Sequence, residues 1–128
     1  MTKKITAKEF MEMQKRRTKS KYRARKVQRD EHNFPSKKEA DRYLELKTLE
    51  SAGEISHLSL QPKFRLLDPI THNGKKIRKV DYTADFYYID NEGREIIEEV
   101  KGHRTQDYVI RMKLFIHKYG ERYTFIET

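Results

Sequence analysis

At 128 residues, with a formal charge of +9 and no cysteine, the chain reads as one small domain and excludes a disulfide framework and any thiolate-dependent zinc site or nucleophile. No stretch is long or apolar enough for a transmembrane helix or a signal peptide, so a soluble intracellular protein is expected. The charge is uneven: residues 1–31 hold twelve Lys or Arg against four Asp or Glu, and the remaining 97 hold seventeen against sixteen.

The cationic arm, 1–31, carries Lys15, Arg16, Arg17, Lys19, Lys21, Arg23, Arg25, Lys26 and Arg29. Such a segment binds polyanions by releasing condensed counterions, with little sequence preference; the plain alternative is a solvated tail. A membrane surface fits less well, because no sustained apolar helical face accompanies the charge. Thr6-Ala7-Lys8-Glu9 is a capping-box pattern that predicts a short helix over about 7–17. Residues 22–34 suggest a short ribbon around Arg29-Asp30-Glu31. The folded domain is expected over 32–128.

Ser36 to Ala52 is the strongest helix, capped by Ser36, with Ala40, Tyr43, Leu44 and Leu49 at helical spacing and Gly53 as its stop. One strand is expected near 60–67, a turn from Asp68-Pro69 through Asn73-Gly74, and one long strand from Lys76 to Ile89. Residues 94–101 form its partner, ended by Gly102. A second helix follows from about Thr105 to Lys118, with Val109, Met112, Leu114, Phe115 and Ile116 as apolar positions and Gly120 as its stop. A last strand lies near 122–127. The order is α-β-β-β-α-β, a mixed sheet flanked by helices, with the basic extension in front.

The chemistry is expected where the strands turn at Asp90-Asn91-Glu92-Gly93. A three-residue loop there pairs Ile89 with Glu95 and Tyr87 with Ile97, and sets Asp85 opposite Glu99. Directly opposed like charges destabilise a sheet pair, so a cation between them is expected. Strand alternation puts Thr83, Asp85 and Tyr87 on one face with Ile97, Glu99 and Lys101, and turns Glu98 away. Two carboxylates about 5 Å apart at their Cβ atoms suit one hard cation, Mg²⁺ or Mn²⁺. The bland alternative is an exposed hairpin with solvated charges.

Asp85 followed by Glu99-x-Lys101, in this element order, resembles the restriction-endonuclease-like, or PD-(D/E)xK, nuclease superfamily, with Ala84 where the pattern has proline. Ser36-Lys37-Lys38-Glu39-Ala40, Leu60-Gln61-Pro62, Tyr82-Thr83-Ala84-Asp85-Phe86 and Glu99-Val100-Lys101-Gly102 resemble a family of short phage-encoded proteins long filed as a domain of unknown function. The same landmarks resemble the endonuclease subunit of heteromeric bacterial transposases. Over roughly 20–120, the resemblance implies a restriction-endonuclease-like α/β core and a metal-dependent endodeoxyribonuclease, with branched recombination or replication intermediates as candidate substrates. It implies that Asp85, Glu99 and Glu39 ligate Mg²⁺ or Mn²⁺ with the Val100 carbonyl, and that Lys101 contacts the scissile phosphate or attacking water. DNA is the implied partner, in a bacterial host cytoplasm, with a homodimer and phage or host recombination or replication proteins as further candidates.

Glu39 is also placed as the N3 partner of a Ser36 capping box, worth about 1 kcal/mol. Gln61 is a candidate to orient water or touch DNA, or a structural residue before proline. His103, just past Lys101, is a candidate phosphate contact, and Arg104, Lys113 and Lys118 are candidates to line DNA or to be plainly solvated. The competing functional class is a catalytically silent nucleic-acid-binding domain that keeps the fold.

Overall fold

The computed structural model describes residues 27–29, 32–101 and 103–128. Two compact units divide between Thr48 and Leu49. The helix expected over 7–17, and the basic side chains from Lys15 to Lys26, lie outside the described residues.

In the first unit, β1 (Val27–Arg29) and β2 (His32–Phe34) pair antiparallel, with Val27 opposite Phe34. Helix α1 (Lys37–Ser51) follows, and its last residues fall in the second unit. Ser36 caps it by accepting the Glu39 N–H on its hydroxyl at 3.1 Å. The Tyr43 ring lies 5.1 Å from that of Phe34 and 5.6 Å from that of His32, forming a small aromatic cluster. Gly53, at φ +80°, ends the helix as the sequence suggests, and the Glu54 N–H returns to the Leu49 carbonyl at 2.9 Å.

The second unit is mixed α/β. Its strands are β3 (Ser56–Leu60), β4 (Lys63–Leu67), β5 (Ile70–His72), β6 (Lys75–Ile77), β7 (Val80–Thr83), β8 (Phe86–Ile89), β9 (Glu95–Glu99) and β10 (Thr124–Glu127); helix α2 (Gln106–Tyr119) precedes β10. The main sheet runs β10-β9-β8-β3, with β10 parallel to β9 and the other pairs antiparallel. No helix among the described residues is long and apolar enough to cross a membrane.

The expected strand at 60–67 and the expected long strand from 76 to 89 are both broken. Leu60 pairs with Phe86 and Lys63 with Thr83, so the register is unchanged across the break. The ladder continues through the Gln61 N–H to the Asp85 carbonyl at 2.9 Å and the Ala84 N–H to the Pro62 carbonyl at 3.0 Å. One kinked ribbon therefore replaces two straight strands. Its cause is local: Gln61 takes φ +52° and Pro62 has no N–H to donate.

The ribbon extends into β5 and β6 around Asn73 and Gly74, at φ +50° and +77°, the two positive values that a two-residue hairpin turn of matching twist requires. α2 packs on β4 and β7. Of the expected apolar positions, Val109, Met112 and Phe115 face the core, whereas Leu114 and Ile116 are each 43 % exposed. Tyr108 and Tyr119 join Met112 and Phe115 on the inner face, the positions that a 3.6-residue period aligns. Phe115 is the centre, with the Phe64, Tyr82 and Tyr119 rings within 5.3 Å of its own.

Candidate functional site

The site is built on β8 and β9, and the turn between them is as counted. The Asp90 N–H reaches the Arg94 carbonyl at 3.0 Å across a three-residue loop with Gly93 at φ +83°. Ile89 pairs with Glu95 and Tyr87 with Ile97. Asp85 lies one residue before β8, at the kink, where its N–H reaches the Glu98 carbonyl at 3.2 Å. Its Oδ2 accepts the Val100 N–H at 2.7 Å. The Asp85 carboxylate is thus tied to the backbone between Glu99 and Lys101.

Glu99 is 6 % exposed, and burial makes its partners matter. The Tyr82 hydroxyl donates to its Oε1, and Lys101 Nζ stands 3.2 Å from its Oε2. Lys101 Nζ also lies 3.9 Å from the centroid of the Tyr108 ring, a cation over an aromatic face. Tyr108 in turn donates its hydroxyl to Glu127 Oε2 at 2.6 Å, and Arg104 pairs with Glu127 Oε1 at 3.3 Å. The C-terminal strand fixes this segment: the Thr128 N–H donates to the Glu99 carbonyl at 2.9 Å and the Lys101 N–H to the Thr128 carbonyl at 3.0 Å.

Burial, and then the Glu99 carboxylate, push the Tyr82 phenol well above its ordinary range, and Asp85 adds to the effect. The same holds for Tyr108, through burial and then Glu127, with a smaller contribution from Glu99. Both phenols stay protonated donors, which suits them to hold carboxylates in place.

Asp85, Glu99, Val100 and Lys101 are thus brought together in one segment of the second unit. Glu98, directed elsewhere, is fully buried and accepts the Tyr88 hydroxyl at 2.7 Å and the Thr128 hydroxyl at 2.9 Å. Glu39 belongs to the first unit, where it is buried at the capped start of α1. Gln61 is exposed at the kink, and His103 is exposed. Lys118 is engaged by the Arg65 carbonyl at 3.0 Å, while Lys113 is exposed.

The expected face is corrected at one position. Thr83 is exposed, and Tyr82 supplies the hydroxyl at Glu99. Tyr82 and Ala84 pack in the same cluster as Ile97 and Tyr87, so the alternation reverses at the kink. Strict period-two counting across 82–87 misses this. The proline at 62, opposite Ala84, was the available signal. Tyr108 was missed too, because its contact with Lys101 depends on how α2 folds back.

Among the described residues, no three His, Asp or Glu side chains gather closely enough to hold a metal ion by themselves. Mg²⁺ is commonly held by one or two carboxylates completed by water and substrate phosphate, so the hard oxygen donors of Asp85 and Glu99 fit that cation class. Each ionised carboxylate has about four acceptor positions, more than the contacts described here use.

Comparison with curated proteins finds no match, and comparison with solved structures finds none. Residues 19–127 match the family model described as protein of unknown function (DUF1064), and the chain belongs to that family.

Proposed function

We propose that the chain is a metal-dependent endodeoxyribonuclease with a restriction-endonuclease-like core, whose chemistry is carried by Asp85, Glu99 and Lys101. The observation that carries this reading is the meeting of two carboxylates and a lysine at one kinked hairpin, with Asp85 Oδ2 on the Val100 N–H and Lys101 Nζ 3.2 Å from Glu99. Asp85 and Glu99 would hold Mg²⁺ or Mn²⁺, with the Val100 carbonyl as a further donor, and the cation would lower the pKa of bound water and polarise a phosphoryl oxygen.

The protein's own groups have definable tasks. Tyr82 orients Glu99 by donating to one oxygen. Tyr108 supports Lys101 from beneath its ammonium group, and that ammonium, shared with Glu99, would offset negative charge developing on a phosphate. The Val100 N–H fixes the rotamer of Asp85. Glu39 rests on the resemblance alone: Glu39→Gln keeps the backbone N–H that Ser36 caps, so a loss of cleavage in a stably folded Glu39→Gln protein assigns it to the chemistry.

One observation favours a second reading, a catalytically silent nucleic-acid-binding domain. The Lys101 ammonium already compensates Glu99, and such a pair is sufficient as a structural device. Incubating the full chain with linear, flapped and four-way-junction DNA under Mg²⁺ and Mn²⁺ separates the two. Cleavage lost in Asp85→Asn supports the nuclease, and binding without cleavage under either cation supports the silent domain.

A further inference from the structure

The most exposed part of the second unit is also its most basic. Residues 69–80 contain Lys75, Lys76, Arg78 and Lys79 and no acid. Every residue from 67 to 79 is exposed, including the cross-strand pair Ile70 and Ile77, at 46 % and 43 %. β5 and β6 pair only with each other, so the hairpin stands as a two-stranded ribbon.

Its cations differ from the paired arginines of the unit, although Lys63 and Lys113 also stand without an ion pair among the described residues. Arg65, Arg94, Arg104, Arg111 and Arg122 all face carboxylates. Among the described residues, the side chains of Lys75, Lys76 and Arg78 make no ion pair or hydrogen bond. Lys79 is the exception, held by Asp81 at 2.8 Å where the hairpin joins β7. That junction is anchored: Asp81 also accepts from Arg65 Nε at 2.8 Å, and its carbonyl accepts from Arg111 Nε at 3.1 Å. Three uncompensated cations are therefore concentrated within four residues, on a ribbon whose base is fixed to α2.

We infer that the β5–β6 hairpin is a duplex-DNA contact element that seats in a groove. A two-stranded ribbon fits the major groove, about 12 Å wide. Lys75 pairs across the ribbon with His72 and Lys76 with Thr71, so the two lysines project from opposite faces. Cations on both faces match a groove bordered by two phosphate rails. A flat anionic membrane would meet only one face. Along the strands, Gly74 lies at most about 36 Å from Asp85, so the hairpin tip and the reacting phosphate fall within about one turn of B-DNA.

The inference rests on the DNA reading above, and its test is independent of cleavage. Binding of the full chain to a blunt duplex is measured in EDTA across a salt series, for the wild type and for Lys75→Gln/Lys76→Gln/Arg78→Gln. If all three contact phosphates, the slope of log affinity against log salt becomes shallower by about 2.7. The wild-type affinity then falls about 40-fold more than the variant's between 50 and 200 mM salt. Lys75→Arg/Lys76→Arg should retain the wild-type slope, and the glutamine variant should keep its melting temperature, since these groups hold nothing within the fold.

An unchanged slope in the glutamine variant overturns the inference. So does wild-type binding to anionic phosphatidylserine vesicles, but not to duplex, that is lost in the variant. A shallower slope in a protein that never cleaves keeps the hairpin as a DNA contact and removes the nuclease.

Discussion

The hairpins β8–β9 and β5–β6 belong to one unit and both turn at an Asn and a Gly, yet they treat charge in opposite ways. In β8–β9 the acids are drawn inward: Glu98 and Glu99 are buried and held by phenols, a hydroxyl and an ammonium group. In β5–β6 the cations are held outward, and three of the four have no partner among the described residues. Buried charges must be satisfied or they unfold the protein, whereas exposed unpaired charges cost the fold almost nothing. Charge kept at no structural benefit is charge available to a partner. Substitutions in the first hairpin should therefore disturb chemistry or stability, and those in the second should disturb binding alone.

The largest expected effect is on cleavage. Asp85→Asn removes a ligand charge but keeps an oxygen that can accept the Val100 N–H, so Mn²⁺-supported cleavage should fall by at least about 100-fold, the scale of one lost electrostatic contact in a transition state. The melting temperature should hold or rise, because neutralising one of two neighbouring acids relieves repulsion. A destabilised Asp85→Asn that still cleaves would falsify the assignment of this site.

Next comes Phe115→Ala, which opens a cavity beneath β7 and β9 at the centre of the aromatic cluster. A loss of about 4 kcal/mol in denaturant-measured stability is expected. If the hairpins are energetically separate, this variant's unfolding should be no further changed by the triple glutamine substitution. Strong non-additivity between the two would break the comparison.

Tyr82→Phe should cost about 2 kcal/mol, since it withdraws a donor from a buried carboxylate while Lys101 remains. It also has a pH signature. The folded phenol is raised above its ordinary 10.0, by burial first and then by Glu99, so its contribution is complete below that value. The contribution is lost as pH rises beyond about 10, where only the unfolded phenol ionises readily. In a phenolate absorbance titration, Tyr82, Tyr108 and Tyr87 should titrate late, and Tyr82→Phe should lose one lagging group. Eight phenols titrating together would contradict this burial.

The smallest effect is expected at the base of the basic hairpin. Lys79, then Arg65, hold the Asp81 carboxyl below its ordinary 3.8, so their contribution is present above that pH and fades as pH falls through the lowered value. The pair is solvent-screened, and a change confined to hydrogen exchange of β6 and β7 amides is expected on acidification, with the melting temperature nearly flat. Asp81→Asn should remove that acid dependence.

Local rules made a good deal legible. The hairpin register at Asp90 to Arg94, the Ser36 cap, the Gly53 stop and the span of α2 all follow from interactions within a few residues, where dihedral preference and hydrogen-bond supply decide the outcome. The adjacency of Asp85 to the Glu99-Val100-Lys101 segment was legible too, because period-two counting needs only one correct turn. The tyrosines were not. Tyr82 reaches Glu99 because the ribbon kinks where Gln61 adopts φ +52° before Pro62, some twenty residues earlier in the chain.

By itself, then, the sequence determined the turns, the caps, the concentration of charge and the pairing of the acid-bearing strands. Tertiary structure alone decided which hydroxyl meets Glu99, which ring lies under Lys101, and which cations are left without carboxylates. The physical reason is range. A cap or a turn is settled by one peptide's own geometry, whereas a buried carboxylate or an uncompensated lysine is defined by what distant strands and helices bring, or fail to bring, to its side.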